Sequence, residues 1–586
     1  MTYLFNKPSA FANELIEGFV AAHAAKVRQV PGGVVRSTRS EPGSVAVVIG
    51  GGSGHYPAFA GLVGQGLAHG AAMGNLFASP SAQQICSVAR AANNGGGVLL
   101  TFGNYAGDVL HFGLARDRLI SEGIPCEIVL VTDDISSASK EEREKRRGVA
   151  GDLVVFKAAS VAAEQGHSLQ EVTRIARLAN QRIRSFGVAF SGCTLPGADR
   201  PLFSVPHGKM ALGMGIHGEP GIGESDIPTA DELAEVLVKR LLDELPDDIA
   251  NAKGQRVGVI LNGLGSVKYE ELFVVYRRIA QLLDEAGIVA VDAEVGEFVT
   301  SFNMAGASLT LFWLDDELEP LWRAPADAPA FRKGSVRAAE PLEAQQIDVA
   351  LATTVPPASV ESKKAAQCLL GVLNTLAQTI VTHADELGRI DAVAGDGDHG
   401  IGMERGALAA AEKAAEMQLR GAGAGTLLQQ AADAWADRAG GTSGALWGLA
   451  LNALGTVIGD EKYPDAHTVA EGVSKAKDGI MHFGKAKVGD KTLVDVLVPF
   501  SDTLSACVAR GDEFGLAWQQ AAQEAEVQAR ATANLRPKVG RARPLAEKSL
   551  GTPDAGAVSL SLIVNALLPL FTGNARDNVK PHEEQF

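Results

Sequence analysis

The sequence predicts two units of different class: an α/β unit of two lobes and, after a linker, an all-helical unit. Three observations carry that prediction. Through the first half, short β-branched runs ending in glycine-rich or polar loops alternate with helical patterns. Around positions 324–345 the periodicity dissolves into a stretch marked by Pro325, Pro329 and Pro341. Beyond it strand-like runs become scarce and alanine-rich helical stripes take over. A length of 586 residues, roughly four times a typical domain, agrees with more than one core.

In order along the chain, Val45-Ala-Val-Val-Ile49 reads as a buried strand opening into Gly50-Gly-Gly-Ser-Gly-His55. Val98-Leu-Leu-Thr-Phe102 runs into Gly103-Asn-Tyr-Ala-Gly-Asp108, and Glu127-Ile-Val-Leu-Val131 into Thr132-Asp-Asp134. Open α/β sheets place their ligands in such loops, outside the carboxyl ends of the strands. A second lobe repeats the pattern with Val257-Gly-Val-Ile-Leu261, Asn262-Gly-Leu-Gly265 and a helix expected over 269–286. After the linker, Leu369, Val372, Leu373, Leu376 and Ile380 fall on one helical stripe, and 404–419, 426–439 and 515–533 also read as helices. The expected division is 1–324, a linker at 325–345, and 346–586.

Composition narrows the function. Hydrophobic residues at 46% and charged residues at 21% are those of a globular chain, and aromatics at 5% argue against a surface of stacked rings. The net charge of −16 repels phosphate backbones, so nucleic acid is a poor partner, while an anionic substrate escorted by a metal stays compatible. The five cysteines are scattered and form no CxxC, which fits a reducing compartment. The start of the chain lacks a basic-then-apolar leader and no 18-residue apolar run stands out, so a cytoplasmic protein with no membrane partner is expected.

The sharpest chemical signal is Asp391-Ala-Val-Ala-Gly-Asp396-Gly-Asp398-His-Gly400, with three carboxylates among glycines that let the backbone turn around them. Its spacing departs from the calcium EF-hand, and magnesium, which keeps waters and takes phosphate oxygens, suits it better. A solvated turn capping a helix over 402–417 is the bland alternative, but a cap needs one Asp and here there are three. Glycine-rich pieces at 440–444, 484–492 and 551–556 follow in the same unit, while the P-loop GxxxxGK[ST] is absent. Such loops offer backbone N–H groups to phosphates.

Taken together these pieces resemble the dihydroxyacetone kinase family. The nucleotide domain of that family is similar to Asp391…Asp396-Gly-Asp398, Gly441-Thr-Ser-Gly444, Gly489-Asp-Lys-Thr492, Gly540-Arg-Ala542 and Asp554-Ala-Gly556. Its substrate domain is similar to Gly50-Gly-Gly-Ser-Gly-His-Tyr-Pro57, Asn104-Tyr-Ala-Gly-Asp108, Gly215-Ile-His-Gly-Glu-Pro-Gly221 and Thr300-Ser-Phe-Asn-Met-Ala-Gly306. The resemblance runs through nearly the whole chain in the expected order.

It implies a barrel of antiparallel helices in which Asp391, Asp396 and Asp398 hold two magnesium ions against the phosphates of ATP. His399, Gly400, Ile401, Gly402, Thr442, Ser443, Gly484, Thr492, Leu493, Asp554, Ala555 and Gly556 would line the nucleotide. Arg541 would steady the transferred phosphoryl group or simply belong to a solvated basic run. In the first unit His217 occupies the position of the histidine that forms a hemiaminal with the ketone substrate. Asp108 would accept or orient the hydroxyl proton, His55 would assist, and Gly52, Ser53 and Gly54 would contact substrate. The stretch 213–218 also matches GxGxxG, but neither a clean strand before it nor a long helix after it is expected. A homodimer is implied as well.

Two departures from the family pattern fall in the substrate unit. Gly103 stands where the family carries a substrate-contacting lysine, and Phe302-Asn303 replaces Leu-Asp before Met304. An altered pocket favours a larger ketose, such as erythrulose or a branched one, over dihydroxyacetone. The alternatives are dihydroxyacetone kinase proper, a non-catalytic ketose-binding regulator, a cyclase acting on an FAD-like nucleotide, and an enzyme that uses bound ADP as a phosphoryl relay.

Overall fold

The computed structural model describes residues 3–337, 339–341, 355–393, 395, 397–539 and 547–572. By contacts the chain divides into Met1–Leu351 and Ala352–Phe586.

The first unit is built on two six-stranded mixed sheets. Strands β1 (Val27–Val30), β2 (Gly33–Arg36), β3 (Ala46–Ser53), β4 (Gly70–Leu76), β5 (Val98–Gly103) and β6 (Cys126–Val131) form one, in the order β1-β2-β4-β3-β5-β6. Its β4, β3, β5 and β6 run parallel, and β3 and β5 are buried along their whole length, which is why both read as continuous apolar runs. The second sheet has the order β11-β10-β12-β7-β8-β9. Its strands are β7 (Ile183–Ala189), β8 (Lys209–Leu212), β9 (Gly223–Asp226), β10 (Arg256–Gly263), β11 (Val289–Gly296) and β12 (Gly306–Trp313). Helices α1 (Phe11–His23), α2 (Ala82–Ala92), α3 (Ala106–Ser121), α4 (Gly151–Glu164), α5 (Leu169–Gln181), α6 (Ala230–Leu242), α7 (Tyr269–Glu285) and α8 (Leu318–Arg323) accompany the sheets. Helix α4 is buried on nearly every side, and its Leu153, Val154, Val155 and Phe156 join the main core beneath β3.

The stretch expected as a linker begins as part of this unit. Ala326, Ala328 and Phe331 are buried, Ala326–Asp327 pairs with Arg332–Lys333, and Gln65 bridges Asp327. Three prolines removed the periodicity that a sequence reading relies on, yet the segment packs through its few apolar side chains. Residues 342–354 lie outside the described residues.

The second unit is all-helical among its described residues: α9 (Val360–Asp391), α10 (His399–Leu419), α11 (Ala424–Ala439), α12 (Gly441–Ile458), α13 (Ala466–Gly484), α14 (Val494–Ala509), α15 (Phe514–Ala531) and α16 (Ala555–Phe571). Each helix packs on the next, and α16 returns to α9, so the eight close a ring. The core is alanine-rich, with Trp435 stacked on Trp447 at 5.1 Å between ring centroids. Small side chains let the helices approach closely; a Cβ on Gly406 would sit 2.6 Å from Trp435 Nε1.

Two readings change here. Helix α10 starts at His399, three residues before the expected 402, so His399 and Gly400 occupy its first turn. Helix α9 also contains an 18-residue window of mean hydropathy 1.3, long and apolar enough to cross a membrane, although no apolar run stood out in the sequence. The average is raised by Leu, Val, Ile, Ala and Cys dispersed among Gln, Asn and Thr, while Leu373, Leu376 and Ile380 face the core of the helical ring.

Candidate active site

The α/β unit brings its two predicted histidines together. His55 follows the end of β3 and His217 sits on the loop between β8 and β9, and their Nε2 atoms are 3.0 Å apart. His55 Nδ1 lies 2.7 Å from the Thr300 carbonyl, which can only accept, so the proton of that bond is on His55. His217 Nδ1 lies 3.0 Å from Glu219 Oε1, and the His217 backbone N–H donates to Glu219 Oε2 at 3.0 Å. Arg147 holds the same carboxylate from 3.8 Å and pairs with Asp134 at 2.8 Å. Two rings enclose the imidazoles: Phe77 stacks on His55 at 4.9 Å, and Tyr105 and Phe77 meet His217 edge-on at 4.6 and 5.5 Å. Burial and the neighbouring His217 hold the His55 pKa down at about 3, so His55 is neutral in the resting site.

The loop after β3 is packed rather than open. A Cβ on Gly54, which has φ of 105°, would lie 2.8 Å from the Phe77 ring, and one on Gly52 would lie 2.7 Å from the Ala78 nitrogen. The buried Ser53 hydroxyl donates to the Gly74 carbonyl at 2.7 Å. Asp108 is buried in the first turn of α3, beyond the end of β5, the strand beside β3, and its charge acts on Asp152. Asn303, a departure from the family pattern, accepts from the Thr194 N–H at 2.8 Å and so ties two loops together.

The sequence reading missed Glu219, Arg147, Tyr105 and Phe77. Glu219 had a signal, since an acid two residues after a histidine in a glycine-rich turn can fold back on its ring. Arg147 had none, because it belongs to a basic run that looks solvated.

In the helical unit the predicted residues gather at helix ends. His399 Nδ1 is 3.2 Å from Ser443 Oγ on α12 and its Nε2 is 3.1 Å from Ser559 Oγ on α16. Its backbone N–H points at Asp391 Oδ2, 3.4 Å away at the end of α9. Asp554 caps α16, accepting from the Ala557 N–H at 2.8 Å, and a Cβ on Gly556 would lie 3.3 Å from Leu493 Cβ at the start of α14. Thr492 donates its N–H to Asp495 at 2.7 Å, which shapes the loop leading into α14. Gly484 closes α13 one residue before Lys485 in the left-handed region. The stretches read as loops at 440–444 and 551–556 run into helix starts, with Thr442 and Ser443 in the first turn of α12 and Ala555 and Gly556 in that of α16. Ile401 and Thr442 are exposed, and Gly402 donates to the Asp398 carbonyl at 2.9 Å. Gly400 fits where it is because a Cβ there would stand 1.9 Å from the Ala384 carbonyl oxygen.

The starts of α10, α12, α14 and α16 therefore share one end of the ring. Helix N-termini present unpaired N–H groups and a positive dipole end, a setting for phosphate. Against them stand acids: burial and Asp391 push Asp398 up to about 6, and burial with Asp495 and Asp391 pushes Asp554 up to about 7. Hard carboxylate oxygens gathered this closely fit magnesium, which would relieve the repulsion. Among the described residues no set of three or more His, Cys, Asp and Glu forms a ready cage, and Asp396 and Arg541 lie outside those residues.

The Dak1 domain family matches residues 17–330 and the DAK2 domain family residues 393–569. The chain belongs to the dihydroxyacetone kinase family. It is 70% identical over 97% of its length to an L-erythrulose kinase of Pectobacterium atrosepticum, of which 96% is covered. It is 52% identical over 98% of its length to a D-erythrulose kinase of Mycolicibacterium smegmatis, of which 99% is covered. Among solved structures it is similar to the dihydroxyacetone kinase of C. freundii in complex with AMP-PNP and Mg2+, at 27% identity and a TM-score of 0.51, over 97% of this chain and 99% of that one. The family's order, an α/β domain followed by an all-helical domain, is the order seen here.

Proposed function

We propose that the chain is an ATP-dependent kinase that phosphorylates a terminal hydroxyl of a four-carbon ketose, erythrulose, while the ketone is held as a hemiaminal on His217. The observation that carries this reading is the hydrogen-bonded line from Thr300 through His55 and His217 to Glu219. Two facing imidazole nitrogens 3.0 Å apart require one proton between them. At rest that proton is on His217, and its transfer to the neutral His55 frees the Nε2 lone pair of His217 to add to the ketone carbon. The new N–C bond sends the carbonyl π pair to oxygen as an alkoxide, and His55, a strong acid at its depressed pKa, returns the proton to that oxygen. Glu219 keeps the other proton on Nδ1 and fixes the ring. A covalent tether selects carbonyl compounds over polyols that share only hydroxyls.

Asp108 accepts the proton of the hydroxyl being phosphorylated. Asp391, Asp396 and Asp398 would hold magnesium, which supplies charge neutralisation on the phosphates when bound. The helix starts carrying His399, Ser443, Leu493 and Asp554 bind the nucleotide. Erythrulose is favoured by the 70% and 52% identical erythrulose kinases and by the side chain missing at Gly103. The stronger match favours the L enantiomer. A homodimer is part of the same proposal, and sedimentation equilibrium returning the mass of one chain would remove it.

The test is ADP release with Mg2+ and ATP on L- and D-erythrulose, dihydroxyacetone, a branched ketose and glycerol, repeated with His217→Ala. Turnover of ketoses but not glycerol, lost in the variant, is expected. ATP binding without turnover of any ketose would overturn the kinase reading in favour of a regulator or cyclase.

A further inference from the structure

We infer that Arg147, anchored by Asp134 and Ser136, is a positioning residue that clasps the turn 213–219 at both ends and so aims His217 at the ketone. The inference rests on the kinase reading above and adds the groups that set the direction of its nucleophile.

His217 stands on a turn between β8 and β9, outside any strand or helix, so its aim depends on what holds that turn. Two backbone bonds close the turn itself, from the Gly218 N–H to the Gly215 carbonyl and from the Gly215 N–H to the Glu219 carbonyl, each 3.1 Å. Neither ties it to the segment after β6. That tie is Arg147. Its Nε donates to Asp134 Oδ2 at 3.1 Å, and its Nη2 lies 2.8 Å from the same oxygen. Nη2 also donates to the Gly213 carbonyl at 3.1 Å, while Nη1 stands 3.8 Å from Glu219 Oε2. One guanidinium therefore reaches the turn on both sides of His217. The Ser136 N–H and hydroxyl fix the other oxygen of Asp134, at 3.0 and 2.5 Å, and that hydroxyl lies 3.1 Å from the Gly213 carbonyl.

The glycines of the turn match a dinucleotide fingerprint by letter, and their surroundings give them a different use. A Cβ on Gly213, where φ is 72°, would stand 2.5 Å from Ser136 Cβ. One on Gly215 would stand 2.1 Å from Glu219 Oε2 and 2.6 Å from Arg147 Nη1. One on Gly218 would stand 2.0 Å from the Phe203 ring. The first two missing side chains admit the clasp, and the third admits an aromatic ring against the turn.

Burial separates this arrangement from a surface ion pair. The side chains of Arg147 and Asp134 are 12% and 4% exposed, and that of Glu219 is 17% exposed. Removing the cation would leave two sheltered carboxylates without their counter-charge. Glu219 would lose the group that holds it against the His217 ring, and the ring would lose its alignment. A lone pair adding to a carbonyl carbon needs that alignment, and a displacement of about 1 Å can cost about 100-fold in rate. The planar fork of arginine serves Asp134, Gly213 and Glu219 together, which the single ammonium of a lysine does not.

The experiment follows erythrulose labelled with carbon-13 at its ketone carbon, by NMR, on the full chain without nucleotide. In the wild type that carbon is expected to pass from the ketone to the tetrahedral range on binding. Arg147→Met is expected to lose the tetrahedral signal and to lower kcat/KM at least about 100-fold; Arg147→Lys, which restores the charge without the fork, recovers part of both. Gly215→Ala keeps every hydrogen-bonding group but drives Glu219 from Arg147, so it acts in the same direction and decides the matter where Arg147→Met fails to fold. Arg143→Met is the control, since Arg143 lies on the same segment and pairs with Asp247 at 2.6 Å, and both readings should stay at the wild-type level. Folded Arg147→Met and Gly215→Ala that keep the tetrahedral signal and kcat/KM, with only thermal stability lowered, would overturn the clasp. A wild type that binds erythrulose with its ketone carbon unchanged would overturn the hemiaminal itself, and the clasp with it.

Discussion

The two units hold their reactive groups in opposite ways. In the α/β unit His217 is gripped by bonds that already exist: Glu219 on one nitrogen, His55 on the other, and aromatic rings around them. In the helical unit Asp391 raises the cost of ionising Asp398, beside helix starts with N–H groups to offer. On the function proposed above, the first site is preorganised for a covalent bond to a neutral molecule. The second is poised for a charged guest that completes it. The contrast teaches that a site for a small neutral sugar must bring its own geometry, whereas one for a metal–nucleotide complex can rely on charges the guest supplies.

Substitutions can break this contrast. His217→Ala should cut kcat/KM for ketoses by more than about 10³-fold, with nucleotide binding to the helical unit kept; retained turnover would show that the tether is dispensable. Replacing Asp391 and Asp398 by Asn should weaken Mg2+-dependent binding of AMP-PNP by at least about 100-fold, as read by calorimetry, while the α/β unit still binds ketose. Equal nucleotide affinity would remove the metal role. Glu219→Gln keeps the shape but loses a charge-assisted bond worth about 1.5–3 kcal/mol, so kcat/KM should fall about 10- to 100-fold. A change confined to KM would mean that Glu219 serves binding and not orientation of the nucleophile.

The smallest expected effect sharpens the other side of the comparison. Asp398 and Asp554 carry raised pKa values, about 6 and about 7, so each takes up a proton as pH falls through those values. Metal and nucleotide need the ionised forms, and their affinity should therefore decline from pH 8 to pH 6, with proton release on binding at the lower pH. An affinity flat across that window would show that these carboxyls do not meet the guest.

Much of this was legible in the residues. Strands buried along their length announce themselves as apolar, β-branched runs, so β3, β5 and β10 are plain in the sequence, and the glycine loops after β3 and β5 mark where His55 and Asp108 stand. His399, Ser443, Leu493 and Asp554 were named on four separate segments, and the ring brings their helix starts together. What stayed hidden depends on partners distant in sequence. Arg147 reads as a solvated cation until Asp134 and Glu219 are seen around it. Asp152 reads as an ordinary first-turn acid, and only the buried setting beside Gly103 and Gly148 makes it unusual. The starts of α12 and α16 read as loops because Gly and Pro signal breaks whether a helix is ending or about to begin.

The return of α16 to α9 has a consequence for how the protein is made. Contacts between successive helices form locally and fast, but the seam joins segments about 200 residues apart and cannot close until α16 has left the ribosome. Until then α9 and α15 each lack a neighbour, and the apolar faces of Leu376, Ile380 and Trp518 stay open to other chains. Slowing translation or shortening the chain before α16 should consequently leave the α/β unit folded while the helical unit waits on a chaperone.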